Sequence, residues 1–258
     1  MGTIRLGCVC VFLLASALAW SDPPAVVVYT ALDEMYSRPI LETFQARRGI
    51  EVQPVYDAEA AKTTGLVNRL IAERNRPRAD VFWNNEVAQT IVLKTRGILE
   101  PYKSPKAESI PRAFKDSDGY WTGFAARARV IIYNTDLVNS PPQSINDLLR
   151  PEWSGKAAMA NPLFGTTATH AAALFAVWGE EKARAFFRGL RENRIAILPG
   201  NAAVRDLVAR GEYAWGLTDT DDANCAVEDG FPARWLLPDQ EEGGLGTLVI
   251  PNSVALVK

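Results

Sequence analysis

The sequence is poor in the side chains that most catalytic and metal sites require. It contains one histidine, His170, and three cysteines. A site that needs two histidines is excluded, and three thiols are too few for a four-cysteine zinc site. Catalysis by a Ser-His-Asp or Cys-His arrangement would have to use His170. Basic and acidic residues nearly balance, at 28 and 30, so we expect no nucleic acid partner.

The N-terminus has the pattern of a secretory signal peptide. One positive charge, at Arg5, precedes an uncharged run over residues 6–20, and Ala-Leu-Ala at residues 17–19 supplies the small residues of a cleavage site. The run is shorter than the roughly 20 residues of a membrane-spanning helix. We therefore expect residues 1–19 to be removed and the mature protein to be periplasmic, with Cys225 as a single free thiol.

The remaining chain alternates short β-branched runs with amphipathic segments, which predicts a parallel α/β architecture. The predicted strands are 25–29, 50–52, 79–83, 156–160, 195–198 and 214–217, and the predicted helices of the second half are 166–178, 180–194 and 202–210. Ligands of such sheets bind beyond the carboxyl ends of the strands, which directs attention to the loops 30–33, 57–62 and 84–86. Two extended segments, 124–130 and 246–254, connect the halves and predict hinge closure on a ligand.

A helix start with two hydroxyls follows one of these strands. Gly165, Thr166 and Thr167 open a predicted helix, where free backbone N–H groups and the helix dipole favour an anion. A threonine that merely caps the helix is the alternative interpretation. For His170, one turn further on, a structural role and ligand contact both remain open.

Three carboxylates follow another predicted strand. Asp219, Asp221 and Asp222 could bind a cation or sugar hydroxyls, and they could instead cap the following helix. The order Asp-Thr-Asp is also similar to that of aspartyl-phosphate hydrolases, although their motif normally closes the first strand of the domain.

Charged residues elsewhere suggest an oxyanion site. Arg127 and Arg129 lie on one face of a predicted strand, where two guanidinium groups could hold an oxyanion or form surface salt bridges.

Glu59 begins the second predicted helix. A favourable position in the helix dipole and contact with a ligand are both open interpretations of this residue.

Several stretches together resemble one family. They are Val-Val-Val-Tyr-Thr-Ala at 26–31, Asp-Ala-Glu at 57–59, Ala-Asp-Val-Phe-Trp at 79–83, Gly-Tyr-Trp-Thr-Gly at 119–123, Arg-Ala-Arg-Val-Ile-Ile-Tyr-Asn at 127–134 and Pro-Gly-Asn at 199–201. Over residues 26–258 the chain resembles the periplasmic substrate-binding proteins of ABC importers, extracellular solute-binding protein family 1, and in particular their ferric-iron-binding branch.

The resemblance implies a two-lobed type II periplasmic-binding-protein fold. Each lobe is a mostly parallel sheet flanked by helices, and two crossover strands join the lobes. Lobe one would comprise residues 25–125 and 246–258, and lobe two residues 126–245. Ligand binds in the cleft, the lobes close, and the closed form docks on an ABC permease in the inner membrane. We expect a monomer without enzymatic activity or cofactor.

The resemblance also implies ligand contacts. These would be Thr30, Glu59, Arg127, Gly165, Thr166, Thr167, Asn201 and Asp219. In the iron binders, two adjacent tyrosines ligate Fe(III) where this chain has Asp221 and Asp222. Together with Glu59, these aspartates are the expected metal ligands, since carboxylates are hard oxygen donors.

The expected function is therefore solute binding for import. The ligand we expect is ferric iron, with or without an anion. A phosphorylated or polyhydroxylated organic solute is the alternative ligand, and a metal-dependent phosphohydrolase using the loop 219–222 is the alternative of another class.

The end of the chain carries one further expectation. Members of the family continue beyond the strand that corresponds to residues 246–258, with helices that complete lobe one. We expect this chain to lack those C-terminal helices and to expose apolar sheet surface.

Overall fold

The structure is a computed structural model and describes residues 24–57 and 63–258. The predicted signal peptide and Glu59 lie outside the described residues. None of the helices within them is long and apolar enough to cross a membrane.

Strands and helices alternate as the sequence predicts. The strands are β1 (Ala25–Thr30), β2 (Glu51–Tyr56), β3 (Val81–Asn84), β4 (Leu99–Glu100), β5 (Thr122–Asn134), β6 (Ala157–Ala160), β7 (Ala196–Leu198), β8 (Trp215–Asp219), β9 (Ala233–Leu236) and β10 (Val249–Val257). The helices are α1 (Glu34–Arg48), α2 (Thr64–Ala72), α3 (Ala88–Thr95), α4 (Gly165–Trp178), α5 (Glu180–Glu192), α6 (Asn201–Ala209) and α7 (Thr220–Glu228). Short 3-10 helices occupy Pro105–Ala107, Arg112–Phe114, Ile145–Leu149 and Pro151–Trp153.

The strands hydrogen-bond in the order β2-β1-β3-β10-β5-β8-β6-β7, with β4 added to β10 and β9 to β5. Pairing is parallel between β1 and its neighbours β2 and β3, and again between β6 and its neighbours β7 and β8. The long strands β5 and β10 run antiparallel to one another and join these two groups. We call the part built on β1–β4 and α1–α3 the first lobe, and the part built on β6–β9 and α4–α7 the second lobe.

Strand β5 belongs to both lobes. Its first half, as far as Ala128, pairs with β10, and its second half pairs with β8 from Arg129 onward. One continuous strand therefore passes from one sheet into the other between these two residues. The crossover segments predicted from sequence correspond to β5 and β10, whereas the domain boundaries at residues 125/126 and 245/246 stay a prediction.

Each lobe has its own apolar core. In the first lobe, Leu66 and Leu70 lie one turn apart on α2 and pack in one cluster with Phe82 of β3. In the second lobe, Ile131 of β5 and Trp215 of β8 share a cluster, and both are fully buried. Burial of each such side chain contributes about 1.5–3 kcal/mol, so the two cores hold the sheets that present the site.

Gly216 of β8 lies where the second lobe has no space for a side chain. A Cβ at this position would lie 2.5 Å from Val204 Cγ1 of α6 and 2.8 Å from the Ala158 carbonyl oxygen of β6. The glycine thus allows α6 to approach the sheet closely, and α6 begins at the site described below.

Large apolar side chains are exposed on α1 and at the start of β5. Met35, Ile40 and Phe44 of α1 are exposed, as is Phe124 at the start of β5. Among the residues of α1, only Ser37 is buried. Three of these side chains belong to a helix, so the expected exposure of apolar sheet surface stays a prediction.

Candidate functional site

A cavity of about 350 Å³ lies between the two lobes. The first lobe contributes residues from the start of α1 and from the loop after β3, and the second lobe contributes the starts of α4, α6 and α7. The lining residues used below are Asp33, Tyr36, Asn85, Arg127, Gly165, Thr166, Thr167, Gly200, Asn201, Ala202, Arg205 and Asp222. Both lobes therefore face the same space, as a ligand-closing cleft requires.

Asp219 is the centre of the buried polar network beneath this cavity. It ends β8 and is fully buried. Its Oδ1 accepts a hydrogen bond from Arg129 Nη1 at 2.6 Å. Its Oδ2 accepts from Thr166 Oγ1 at 2.6 Å and from Asn201 Nδ2 at 2.8 Å. One carboxylate thus ties β5, β8, α4 and α6 together.

The charge state of Asp219 follows from its neighbours. Burial alone would raise the pKa of Asp219, but the guanidinium groups of Arg129 and Arg127 and the hydrogen bond from Thr166 outweigh it, so the pKa is lowered. Asp219 is therefore ionised and held by the protein. Removing it would leave Arg129, which is also fully buried, without its counter-charge.

Arg127 links this network to the cavity. Its side chain is buried, and its Nη1 lies 3.1 Å from Asp221 Oδ2 and 3.6 Å from Asp219 Oδ2. Burial lowers the pKa of Arg127, but the nearby carboxylates raise it by more. The prediction that Arg127 and Arg129 share one strand face agrees with this geometry, since both reach Asp219.

Two helix N-termini open onto the cavity. Gly165 starts α4 and Asn201 starts α6, and both line the cavity. The first intrahelical bonds are donated by Ala168 and Val204, so the amides before them lack intrahelical partners. The positive ends of these two helix dipoles suit an oxyanion. Arg205 also lines the cavity, and its Nε lies 2.8 Å from Asp206 Oδ1.

An acidic group lies beside this positive region. Carboxylate oxygens of Asp219, Asp221 and Asp222 all lie within 4.8 Å of one another. Burial raises the pKa of Asp221, and burial together with the charges of Asp221 and Asp219 raises the pKa of Asp222 to about 7. Arg205 Nη1 lies 3.5 Å from Asp222 Oδ1, whereas Asp221 Oδ1 is buried without a hydrogen-bond partner. The site thus holds repelling carboxylates that a cation would relieve.

His170 lies one turn into α4 and is buried. Burial and then the charge of Arg129 lower its pKa to about 3. The imidazole is therefore neutral, and His170 is not among the residues that line the cavity.

The remaining predicted positions differ in their relation to the cavity. Thr30 is fully buried, and its hydroxyl accepts a hydrogen bond from the Leu32 amide rather than lining this cavity. Asp221 lines an adjacent cavity that also contains Arg127. Glu59 lies outside the described residues, so its metal-ligand role stays a prediction.

Tyr36 and Arg205 are among the cavity residues that reasoning from the sequence missed. Tyr36 lies in the first turn of α1, just beyond the loop expected to bind ligand. Arg205 is four residues after Asn201 on α6, so the i, i+4 spacing of a helix face was the signal that could have found it. Asp33 and Asn85 lie in loops that the strand pattern did indicate.

Comparison with known sequences identifies the family. The sequence model of the family described as bacterial extracellular solute-binding protein matches residues 79–250. The chain belongs to this family. Similar curated proteins include the Fe(3+)-binding periplasmic protein of Serratia marcescens, 26% identical over 219 residues, which cover 84% of this chain and 63% of that protein. Iron uptake protein A1 of Synechocystis sp. is 28% identical over 241 residues, which cover 89% of this chain and 64% of that protein. The chain thus spans less than two thirds of the length of these relatives.

Solved structures confirm the fold. Iron-bound HitA from Pseudomonas aeruginosa superposes with a TM-score of 0.83 at 24% identity, covering 92% of this chain and 76% of HitA. The periplasmic binding protein AfuA from Actinobacillus pleuropneumoniae, with fructose-6-phosphate bound, gives 0.79 at 23% identity and covers 91% of this chain and 74% of AfuA. The solute-binding protein therefore has the two-lobed α/β fold predicted from its sequence.

Proposed function

We propose that this protein is the exported solute-binding component of an ABC importer, and that it captures ferric iron together with an oxyanion between its lobes. Family membership supports a binding role, and both curated relatives described above are named for iron binding or uptake. The two-sided cavity supports capture by lobe closure.

The acidic group carries the metal part of the proposal. Asp221 has an oxygen without a hydrogen-bond partner, and neighbouring carboxylates help to raise the pKa of Asp222 to about 7. A hard cation between these two side chains would relieve their repulsion and occupy the free oxygen. Carboxylates are suitable donors for Fe(III), although without phenolate the loaded protein would lack a strong charge-transfer colour.

The helix ends carry the anion part. The N-termini of α4 and α6 and the side chain of Arg205 face the same cavity as Asp222. An oxyanion that bridges the cation and these donors would complete the coordination of the metal and balance its charge.

Metal retention tests this proposal directly. Protein loaded with Fe(III) citrate and desalted should retain about one iron per chain by elemental mass spectrometry. Asp221→Ala and Asp222→Ala should each weaken binding, whereas Asp229→Ala, at the exposed end of α7, should not. Absence of retained iron in the unmodified protein would overturn the metal proposal.

A phosphorylated organic solute is the second candidate ligand. Two helix N-termini in one cavity form a phosphate-binding arrangement without any metal, and AfuA, which has the same fold, was solved with fructose-6-phosphate bound. Native mass spectrometry of protein taken from its periplasm, together with thermal shifts produced by fructose 6-phosphate, would distinguish this ligand from iron.

The proposal includes a periplasmic monomer that delivers its ligand to an inner-membrane permease and performs no catalysis. The geometry does not favour the phosphohydrolase alternative, because both oxygens of Asp219 accept hydrogen bonds from Arg129, Thr166 or Asn201. Steady phosphate release from a generic phosphoester, abolished by Asp219→Asn, would contradict the transport proposal.

A further inference from the structure

Outside the proposed metal site, a buried carboxylate of the first lobe accepts a hydrogen bond from the second lobe. Glu86 lies in the loop between β3 and α3 of the first lobe and is fully buried. Its Oε2 accepts a hydrogen bond at 2.5 Å from Thr169 Oγ1, which belongs to α4 of the second lobe. We propose that Glu86 and Thr169 form a latch that holds the lobes closed and sets the rate of ligand release.

The first lobe holds the Glu86 carboxylate in place independently of Thr169. Oε2 accepts from the Ala88 amide at 2.6 Å, and Oε1 accepts from the Gln89 amide at 3.0 Å and from Asn84 Nδ2 at 2.9 Å. The carboxylate is thus fixed at the start of α3 before the lobes meet. A preorganised acceptor loses little conformational freedom when the donor on α4 arrives.

The latch is also connected to a strand that joins the lobes. Ser253 of β10 donates its hydroxyl to the Glu86 carbonyl oxygen at 3.2 Å. The same hydroxyl lies 2.8 Å from Thr90 Oγ1 of α3. The Glu86 loop is therefore fixed against β10, which pairs with β3 and with the first half of β5, so a rotation about β5 moves Thr169 relative to a fixed partner.

Burial makes the contribution of Thr169 larger than that of an exposed hydrogen bond. Burial raises the pKa of Glu86, and the hydrogen bonds from Thr169 and Asn84 are the largest effects that oppose this rise. In the closed form Glu86 has no exposed surface, so water cannot replace a lost donor. In an open form water would replace it, so loss of the Thr169 hydroxyl penalises the closed form selectively.

A second contact between the lobes also favours the closed form. Tyr36 Oη of α1 lies 3.2 Å from Cys225 Sγ of α7. Both this contact and the latch adjoin the ligand cavity, which is lined by Tyr36 and by Asn85, the residue before Glu86. The latch joins two oxygens at 2.5 Å, whereas the second contact includes a sulfur and is longer, so the latch is the stronger of the two.

Thr169→Val tests the latch, because valine keeps the shape of threonine and removes the donor. Thr169→Ser, which keeps the hydroxyl, is the matched control. The inference rests on the proposed capture of ligand by lobe closure, so the first measurement is the release rate of iron from protein loaded with Fe(III) citrate. We expect release from Thr169→Val to be faster by about tenfold, and release from Thr169→Ser to stay within about twofold of the unmodified protein.

Small-angle X-ray scattering separates failure of the latch from failure of the ligand assignment. Without added ligand, Thr169→Val should be more extended than the unmodified protein and Thr169→Ser, whether or not any of the three binds iron. Scattering curves that coincide for all three proteins, or iron release from Thr169→Val within twofold of the unmodified protein, would overturn the latch. Failure of the unmodified protein to retain iron would overturn only the proposed ligand.

Discussion

The buried His170 makes the stability of this solute-binding protein depend on pH in a direction that can be worked out. Burial and the charge of Arg129 lower the pKa of His170 from 6.5 to about 3. Below pH 6.5 the unfolded chain therefore binds a proton at His170, whereas the folded chain binds it only near pH 3. The free energy of unfolding is thus highest above pH 6.5 and falls with decreasing pH, by about 2 kcal/mol at pH 5.

Asp222 has the opposite effect in the same range. Its pKa rises from 3.8 to about 7 in the folded protein, so the folded chain binds a proton there that the unfolded chain does not. This stabilises the fold as the pH falls from 7 towards 4, by about 3 kcal/mol at pH 5. The effects of His170 and Asp222 therefore oppose one another between pH 7 and pH 5.

His170→Gln removes the loss of stability that His170 causes as the pH falls. Between pH 7 and pH 5 we expect the free energy of unfolding of this variant to rise by about 2 kcal/mol, measured by urea denaturation at each pH. Asp222→Asn is the complementary control and should lose about 2 kcal/mol over the same interval. If His170→Gln and the unmodified protein show the same change with pH, His170 titrates near its ordinary pKa and the reasoning is refuted.

Four further substitutions test the site and its support. Asp219→Asn leaves a buried arginine without its counter-charge and should lower the free energy of unfolding by about 3–5 kcal/mol in urea denaturation; a loss below about 1 kcal/mol would show that the network is not needed. Asp221→Ala and Asp222→Ala should each weaken the affinity for Fe(III) citrate more than about tenfold by titration calorimetry, with Asp229→Ala unchanged; unchanged affinity in both would make the acidic group structural. Gly216→Ala forces a Cβ against Val204 and the Ala158 carbonyl oxygen and should cost about 1–3 kcal/mol; an unaltered unfolding midpoint would contradict this close packing of α6.

The local elements could be predicted because their signals are local. The β-branched run at residues 25–29 lies within β1, and the helix predicted at 180–194 is observed as α5, with Ala183, Phe186 and Leu190 buried. The helix start predicted at Thr166 is observed one residue earlier, at Gly165. In each case the period of apolar residues and a glycine or hydroxyl at the boundary determine the element.

The partners of the site could not be predicted in the same way. Arg129 and Asp219 are 90 residues apart in sequence, and Thr166 and Asp219 are 53 apart, yet each pair meets in the fold. Their sequence context indicates charge and a strand end but not which side chains share a hydrogen bond. The contact between Glu86 and Thr169 could not be predicted either, because it depends on how the two lobes face one another.

The continuous strand β5 has a consequence for the charge of the cleft. The backbone of Arg127 pairs with Ile250 of β10, in the first sheet, whereas that of Arg129 pairs with Asp219, in the second. The guanidinium of Arg127 nevertheless contacts Asp221 of the second lobe at 3.1 Å. A rotation of the lobes about this point changes that distance, and with it the electrostatic potential that a solute meets on entry. Opening the cleft would therefore also unmask negative charge, and closing it would neutralise that charge.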